Sequence, residues 1–200
     1  MTKQPLETKA LVLSVHVRNT IEHLIDSGII EGEMADTWKE RMAEKKRNEK
    51  KVKRTKESAE GGNADAMYNM GFFHTNGMYG LKKDDGEAYK WYEKSADAGS
   101  AKGMAAVGAS LLKGWGVEKD QTEGLIVTAS AAAKGSAYAC CQLGYIYYKG
   151  VFGSKVNYVK AKFWLEKAIA EDSFNHEHQE DEFMERARRW IANCNRLIDT

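Results

Sequence analysis

The sequence predicts an all-α protein whose middle is an α/α solenoid of three repeats. Three observations predict it. One pattern of glycines, small residues and aromatics recurs at a period of 36 or 37 residues between positions 63 and 171, and such periods mark stacked supersecondary units. Runs with the two-residue alternation of a half-buried strand are few. The single proline, Pro5, leaves the later helices uninterrupted by that residue.

The repeat is read from its glycines. Met70-Gly71, Val107-Gly108 and Leu143-Gly144 are the same apolar-glycine step, and each is followed six residues later by Gly77, Gly114 or Gly150. A loop then carries Gly80, Gly116 and Gly153, with Asp84, Asp120 and Asn157 four residues on. A small residue (Ala88, Gly124, Ala161) and then Trp91, Val127 or Trp164 follow at fixed spacing. Asp84, Asp120 and Asn157 are predicted helix N-caps, whose side-chain oxygens accept the orphan N–H groups of the first turn. Gly99 and Gly135 suit left-handed helix ends. A glycine inside a helix costs about 1 kcal/mol against alanine, so its recurrence predicts that a neighbouring helix crosses there and excludes a side chain. Each unit is therefore helix A, a glycine-bearing loop, and helix B, and stacking buries the face that one pair cannot bury alone.

The first unit, with Ala66, Met70, Gly71, Gly77, Gly80, Asp84, Ala88, Trp91, Tyr92, Lys94, Ala96 and Gly99, resembles the Sel1-like repeat, a relative of the tetratricopeptide repeats. The third matches through Ala139, Leu143, Gly144, Tyr147, Gly150, Gly153, Ala161, Trp164, Lys167 and Ala168. The second departs, with Gly103, Gly124 and Val127 where that family has Ala, Ala and Trp, which predicts the loosest packing for it. The resemblance implies a right-handed superhelix, helices A lining the concave surface and helices B the convex one. It also implies a non-catalytic protein-interaction scaffold or adaptor.

In chain order, residues 1–58 are expected to form a helical hairpin with a basic helix. The three repeats follow at 63–98, 99–134 and 135–171 within 59–172, and residues 173–200 hold an acidic loop and a C-terminal capping helix. Leu6, Ala10, Leu13, Val17, Ile21 and Leu24 recur at helical spacing over residues 6–27, widened by Leu11 and Ile25, and Ser27-Gly28 stops that helix. A second helix carries Met34, Trp38 and Met42. The hairpin is read as a lid on the solenoid, with dimerisation as the alternative. Residues 39–56 hold ten Lys and Arg against three Glu, a pattern of a solvated helix. Residues 171–185 are acidic and include His176 and His178. In the last helix Phe183, Ala187, Trp190, Ile191, Cys194 and Ile198 mark one face and Arg186, Arg188, Arg189 and Arg196 the other.

With 200 residues, a net charge of +1 and 42% apolar residues, the chain has a globular composition and no global field to draw it to nucleic acid or an acidic membrane. Three cysteines, Cys140, Cys141 and Cys194, make no disulfide framework and read as buried reduced thiols, which places the protein in a cytoplasmic, reducing setting. No stretch reaches the length of a membrane span, and the short apolar run at residues 10–17 lacks the form of a signal peptide. None of the phosphate-loop, dinucleotide, HExxH or GxSxG patterns occurs, and His74 reads as a packed side chain. No catalytic residue, cofactor or metal site is assigned.

The working surface is expected on helix A, at positions outside the packed pattern: Asp65, Asn69, Phe72 and Asn76; Lys102, Ala106, Ala109 and Lys113; Tyr138, Gln142, Tyr145 and Lys149. Aromatics that bury a peptide, with amides and lysines that orient it, suit recognition of another protein or peptide. The alternative surface is the basic patch Lys45, Lys46, Arg47, Lys50, Lys51, Lys53 and Arg54, facing nucleic acid or an acidic partner. Residues 43–57 interleave no aromatic on which a base would stack, which speaks against nucleic acid.

Overall fold

A computed structural model of the chain describes residues 15–172 and 181–198. Among them are nine helices and no strand: α1 (Val15–Asp26), α2 (Glu33–Glu60), α3 (Ala64–Asn76), α4 (Asp85–Asp97), α5 (Ala101–Lys113), α6 (Gln121–Ala133), α7 (Ala137–Lys149), α8 (Tyr158–Asp172) and α9 (Asp181–Ile198). The described residues divide into two compact units, one up to Arg47 and one from Asn48 on, and the boundary falls within the range of α2.

In the first unit, α1 ends where the Ile29 N–H bonds the Leu24 carbonyl across the left-handed Gly28. Ile25 is buried and shares a cleft with Trp38 and Met42 of α2, while Met34 is exposed. The expected helical residues Leu6, Ala10, Leu11 and Leu13 lie outside the described residues, as do His176 and His178.

In the second unit each repeat is a pair, α3–α4, α5–α6 and α7–α8. The expected N-caps close helices B: Asp84 Oδ1 accepts the Glu87 N–H at 2.9 Å, Asp120 the Glu123 N–H at 2.9 Å and Asn157 the Lys160 N–H at 2.9 Å. Helices A have caps that the sequence reading missed, Asn63, Ser100 and Ser136, which accept from Ala66, Gly103 and Ala139. Each follows a left-handed glycine. Gly99 N–H bonds Ala96 O and Ser100 N–H bonds Ser95 O, so one residue completes the C-terminal motif of α4 and starts α5.

The interhelical glycines behave as expected. A Cβ built on Gly71 falls 2.5 Å from the Tyr92 ring, and one on Gly144 falls 2.5 Å from Leu165 Cγ. The second pair is not the loosest, contrary to expectation. A Cβ on Gly124 lies 2.9 Å from the Leu112 backbone nitrogen, and one on Gly103 lies 2.7 Å from that of Ala96. The glycines that break the family pattern let backbones close the gap, and Thr128, fully buried, donates its hydroxyl to the Gly124 carbonyl at 2.7 Å.

Two half-repeats extend this stack. The end of α2 is bounded as a helix B is: Gly62 N–H bonds Ala59 O, Asn63 N–H bonds Ser58 O, and Ala59 is buried with Ala66, Met70, Phe73 and Trp91. At the other end α9 has the spacing of a helix A. Ala187, Ile191, Ala192 and Cys194 match Ala139, Leu143, Gly144 and Ile146, and Ala187 and Cys194 are fully buried.

On helix B the side chain that meets the glycine is not the repeated tryptophan but its successor, Tyr92, Thr128 or Leu165. Trp91 is buried, whereas Trp164 is only partly so and lies edge-on to the exposed Phe163. Trp91→Ala and Leu165→Ala are expected to cost about 3–5 and 2–5 kcal/mol. Trp164→Ala should cost less than either in a denaturant titration.

Cys140, Cys141 and Cys194 are buried and free. Burial pushes all three thiols up, Cys141 to about 12. The unfolded thiol ionises from about pH 9 upward while folded Cys141 stays protonated, so the linked stability is fully present below pH 9 and is lost between 9 and 12. Alkylation by iodoacetamide at pH 8 should therefore be slow in the native chain and fast in denaturant.

A candidate binding cleft on the A-helix face

Beside the first A–B contact a cleft of about 330 Å³ opens, lined by Tyr68, Phe72, Thr75 and Asn76 of α3, Asp85, Ala88 and Tyr92 of α4, Ala106, Ala109 and Ser110 of α5, Trp115, and Tyr138 of α7. Five expected positions converge in it: Phe72, Asn76, Ala106, Ala109 and Tyr138.

The walls are aromatic and ordered by one another. Tyr68 lies with ring centroids 6.5 Å from Phe72 and 5.7 Å from Tyr92. Tyr92 and Thr75 share a hydroxyl–hydroxyl hydrogen bond of 2.9 Å at the base, and burial raises the Tyr92 pKa. Trp115, 45% exposed, stands at the rim with the Lys113 ammonium 4.0 Å above its ring. Burial lowers the Lys113 pKa, and the ring face supplies part of the lost solvation. Burial also raises the Tyr138 pKa, while a hydrogen bond from Gln142 opposes that shift.

The other expected positions are placed differently. Asp65, Asn69 and Lys102 are exposed and do not line the cleft. Tyr145 is covered by the last helix, its ring 5.2 Å from that of Trp190, which also stacks on Tyr148 at 6.2 Å. Lys149 is exposed, with its ammonium 5.4 Å from the Tyr148 ring. Sequence reasoning missed Tyr68, Tyr92, Asp85 and Trp115 in the lining. The sandwiched Gly114-Trp115-Gly116, an aromatic in a loop with no apolar neighbour, was a usable signal for the last.

The basic residues are divided by use. Lys51 is turned onto the first repeat: its Nζ donates to the Tyr79 hydroxyl at 2.6 Å and lies 4.3 Å from that ring. Lys53 sits 3.9 Å from Glu57 in an exposed pair. Lys45, Lys46, Arg47, Lys50 and Arg54 are exposed along α2. Elsewhere, His74 is half-buried and its carbonyl accepts the Asp84 N–H. Among the described residues no three His, Cys, Asp or Glu gather as metal ligands, and no helix is long and apolar enough to cross a membrane.

A family model described as Sel1 repeat matches residues 64–100, 101–136 and 137–173, more than half of the chain. A 104-residue stretch is 30% identical to chitin synthase regulatory factor 3 of Schizosaccharomyces pombe, covering 52% of this chain and 11% of that protein. A 58-residue stretch is 39% identical to the ERAD-associated E3 ubiquitin-protein ligase component HRD3A of Arabidopsis thaliana, covering 29% of this chain and 9% of that one. The chain thus matches about a tenth of the length of either relative. A solved Sel1 repeat protein from Oxalobacter formigenes superposes with a TM-score of 0.55 at 24% identity, over 88% of this chain and 85% of that one, and shares the fold.

The Tyr145–Trp190 contact should be measurable as coupling. A double-mutant cycle of Tyr145→Ala and Trp190→Ala is expected to return about 0.5–1.5 kcal/mol of interaction in urea titrations. A value near zero would show that the rings merely neighbour each other.

Proposed function

The chain belongs to the Sel1 repeat family, and from that premise we propose that it is a non-catalytic interaction module holding a segment of another protein along its A-helix face. The observation that carries this reading is the aromatic cleft between α3, α4 and α5, with Tyr138 of α7 in its lining. Aromatic side chains give large contact area at low entropic cost, and amides and hydroxyls orient a bound backbone. Exposed Asp65, Asn69 and Lys102 lie on the same helices α3 and α5 and would offer polar groups to a bound segment. One relative is named a regulatory factor and the other a component of a ligase. Serving by association is the part of those names that this reading carries over.

The test is affinity capture with the full chain, comparing wild type with Asn69→Ala/Lys102→Ala and with Phe72→Ala. The double variant should lose the captured protein at an unchanged melting temperature, because neither side chain packs helix on helix. The control neutralises Lys45, Lys46, Lys50 and Lys53 together. If that control abolishes capture and the cleft variants bind normally, the basic stretch of α2 is the working surface and the reading fails.

A further inference from the structure

Resting on the reading of the A-helix face as the binding surface, we propose that the cleft takes one kind of anchor: an aromatic side chain bearing an N–H or O–H donor, tryptophan foremost, presented by the partner protein.

The chain itself shows what fills the equivalent place. Along the helix A stack, Asn69, Ala106, Gln142 and Trp190 occupy one column, and Phe72, Ala109, Tyr145 and Asn193 the next. Where α7 meets α9, Trp190 fills the step, tilted against Tyr145 and stacked on Tyr148. The counterparts of those two residues in the first repeat are Phe72 and Thr75, both of which line the cleft. At that step the next helix offers only Ala106 and Ala109, so a space of about 330 Å³ stands where the later step holds an indole. The cavity is thus a vacancy in a column of side chains that the protein elsewhere fills with tryptophan.

The lining agrees with a ring that carries a donor. Phe72, Tyr68, Trp115 and Tyr138 offer faces and edges for stacking, which favours an aromatic over an aliphatic group. Asp85 is the one carboxylate in the lining, and no Lys or Arg lines it; the nearby Lys113 holds its ammonium 4.0 Å from the Trp115 ring. An anionic anchor would meet Asp85 with no countercharge. An indole N–H or phenol O–H would find an acceptor there.

The experiment is a titration of ¹⁵N-labelled full-length protein, followed by NMR, with N-acetyl-tryptophanamide, N-acetyl-argininamide and N-acetyl-leucinamide in separate arms. Saturable shifts at the amides of Phe72, Ala106, Ala109 and Tyr138 are expected with the tryptophan probe, and binding at least about tenfold weaker with the other two. Ala106→Trp should plug the cleft from within and abolish those shifts. Should that variant fold poorly, Phe72→Ala removes a wall and is expected to weaken the probe by about tenfold or more. Tighter binding of the arginine probe at the same amides overturns the proposal in favour of a cationic anchor. No saturable shift with tryptophan, or shifts that survive the plug, also overturns it. Those failures leave the broader reading standing if Asn69→Ala/Lys102→Ala still loses the captured partner, and that reading falls by its own test alone.

Discussion

The close approach of helix B to a glycine in the middle of helix A is the contact on which the rest of the structure depends. It occurs where Tyr92 covers Gly71, Thr128 covers Gly108 and Leu165 covers Gly144. With no Cβ there, the partner helix sits low, and the glycine's cost in helix propensity is offset by dispersion contacts across the crossing. The covering residues can differ in size because the backbones adjust their distance. A tyrosine ring spans the first crossing, and at the second a threonine and a second glycine, Gly124, bring the chains together.

Once that contact is fixed, the link between units follows. Only three residues, a helix end, a left-handed glycine and a capping serine, separate α4 from α5 and α6 from α7, which keeps the pairs close. Ser95, fully buried on α4, donates to the Ala64 carbonyl at the start of α3 at 2.8 Å, and a Cβ on Gly103 of α5 would meet the same Ser95 hydroxyl at 2.5 Å. One buried hydroxyl thereby ties its own repeat together and sets how near the next may come. Away from these contacts helix A varies more, from exposed Asn69 to half-buried Ala106 and Gln142, and at the last step Trp190 of α9 packs on Tyr145 and Tyr148.

Much of this was legible in the sequence because the residues concerned act locally. A glycine step, an Asp or Asn cap and a left-handed glycine each announce themselves within a few positions. The caps Asn63, Ser100 and Ser136 were overlooked because each serves two helices at once and reads as a linker. The half-repeats were hidden because their markers are replaced: α2 has Thr55 where α4 has Tyr92, and α9 has Ala192 where α7 has Gly144. The cleft was half visible. Phe72 and Tyr138 stand out as aromatics off the packed pattern, whereas the space itself comes from the small size of Ala106 and Ala109, positions that the same pattern marks as surface without showing that they leave a gap. A cavity is a missing side chain, and only comparison down a column in space reveals the absence. Lys51 shows the converse: a lysine in a charged run carries no sign that it will lie on Tyr79.

The ends of the stack show why half-repeats suit a solenoid. A full terminal pair would present another apolar face to water and postpone the problem. A single helix can bury one face and ionise the other. The second-unit part of α2 does so with Val52, Thr55 and Ala59 inward and Lys50, Lys53, Arg54 and Glu57 exposed. Helix α9 does so with Ala187 and Cys194 inward and Arg188, Arg189 and Arg196 exposed. Because α9 keeps the register of a helix A, its inward residues continue the columns of the A-helix face. Trp190 therefore lands in the column of Asn69, Ala106 and Gln142 and covers Tyr145 of the third repeat. The residues that end the solenoid and those that leave one step of its surface open obey the same periodic geometry. The difference between a filled step and an open one is the size of a single side chain, tryptophan in α9 and alanine in α5.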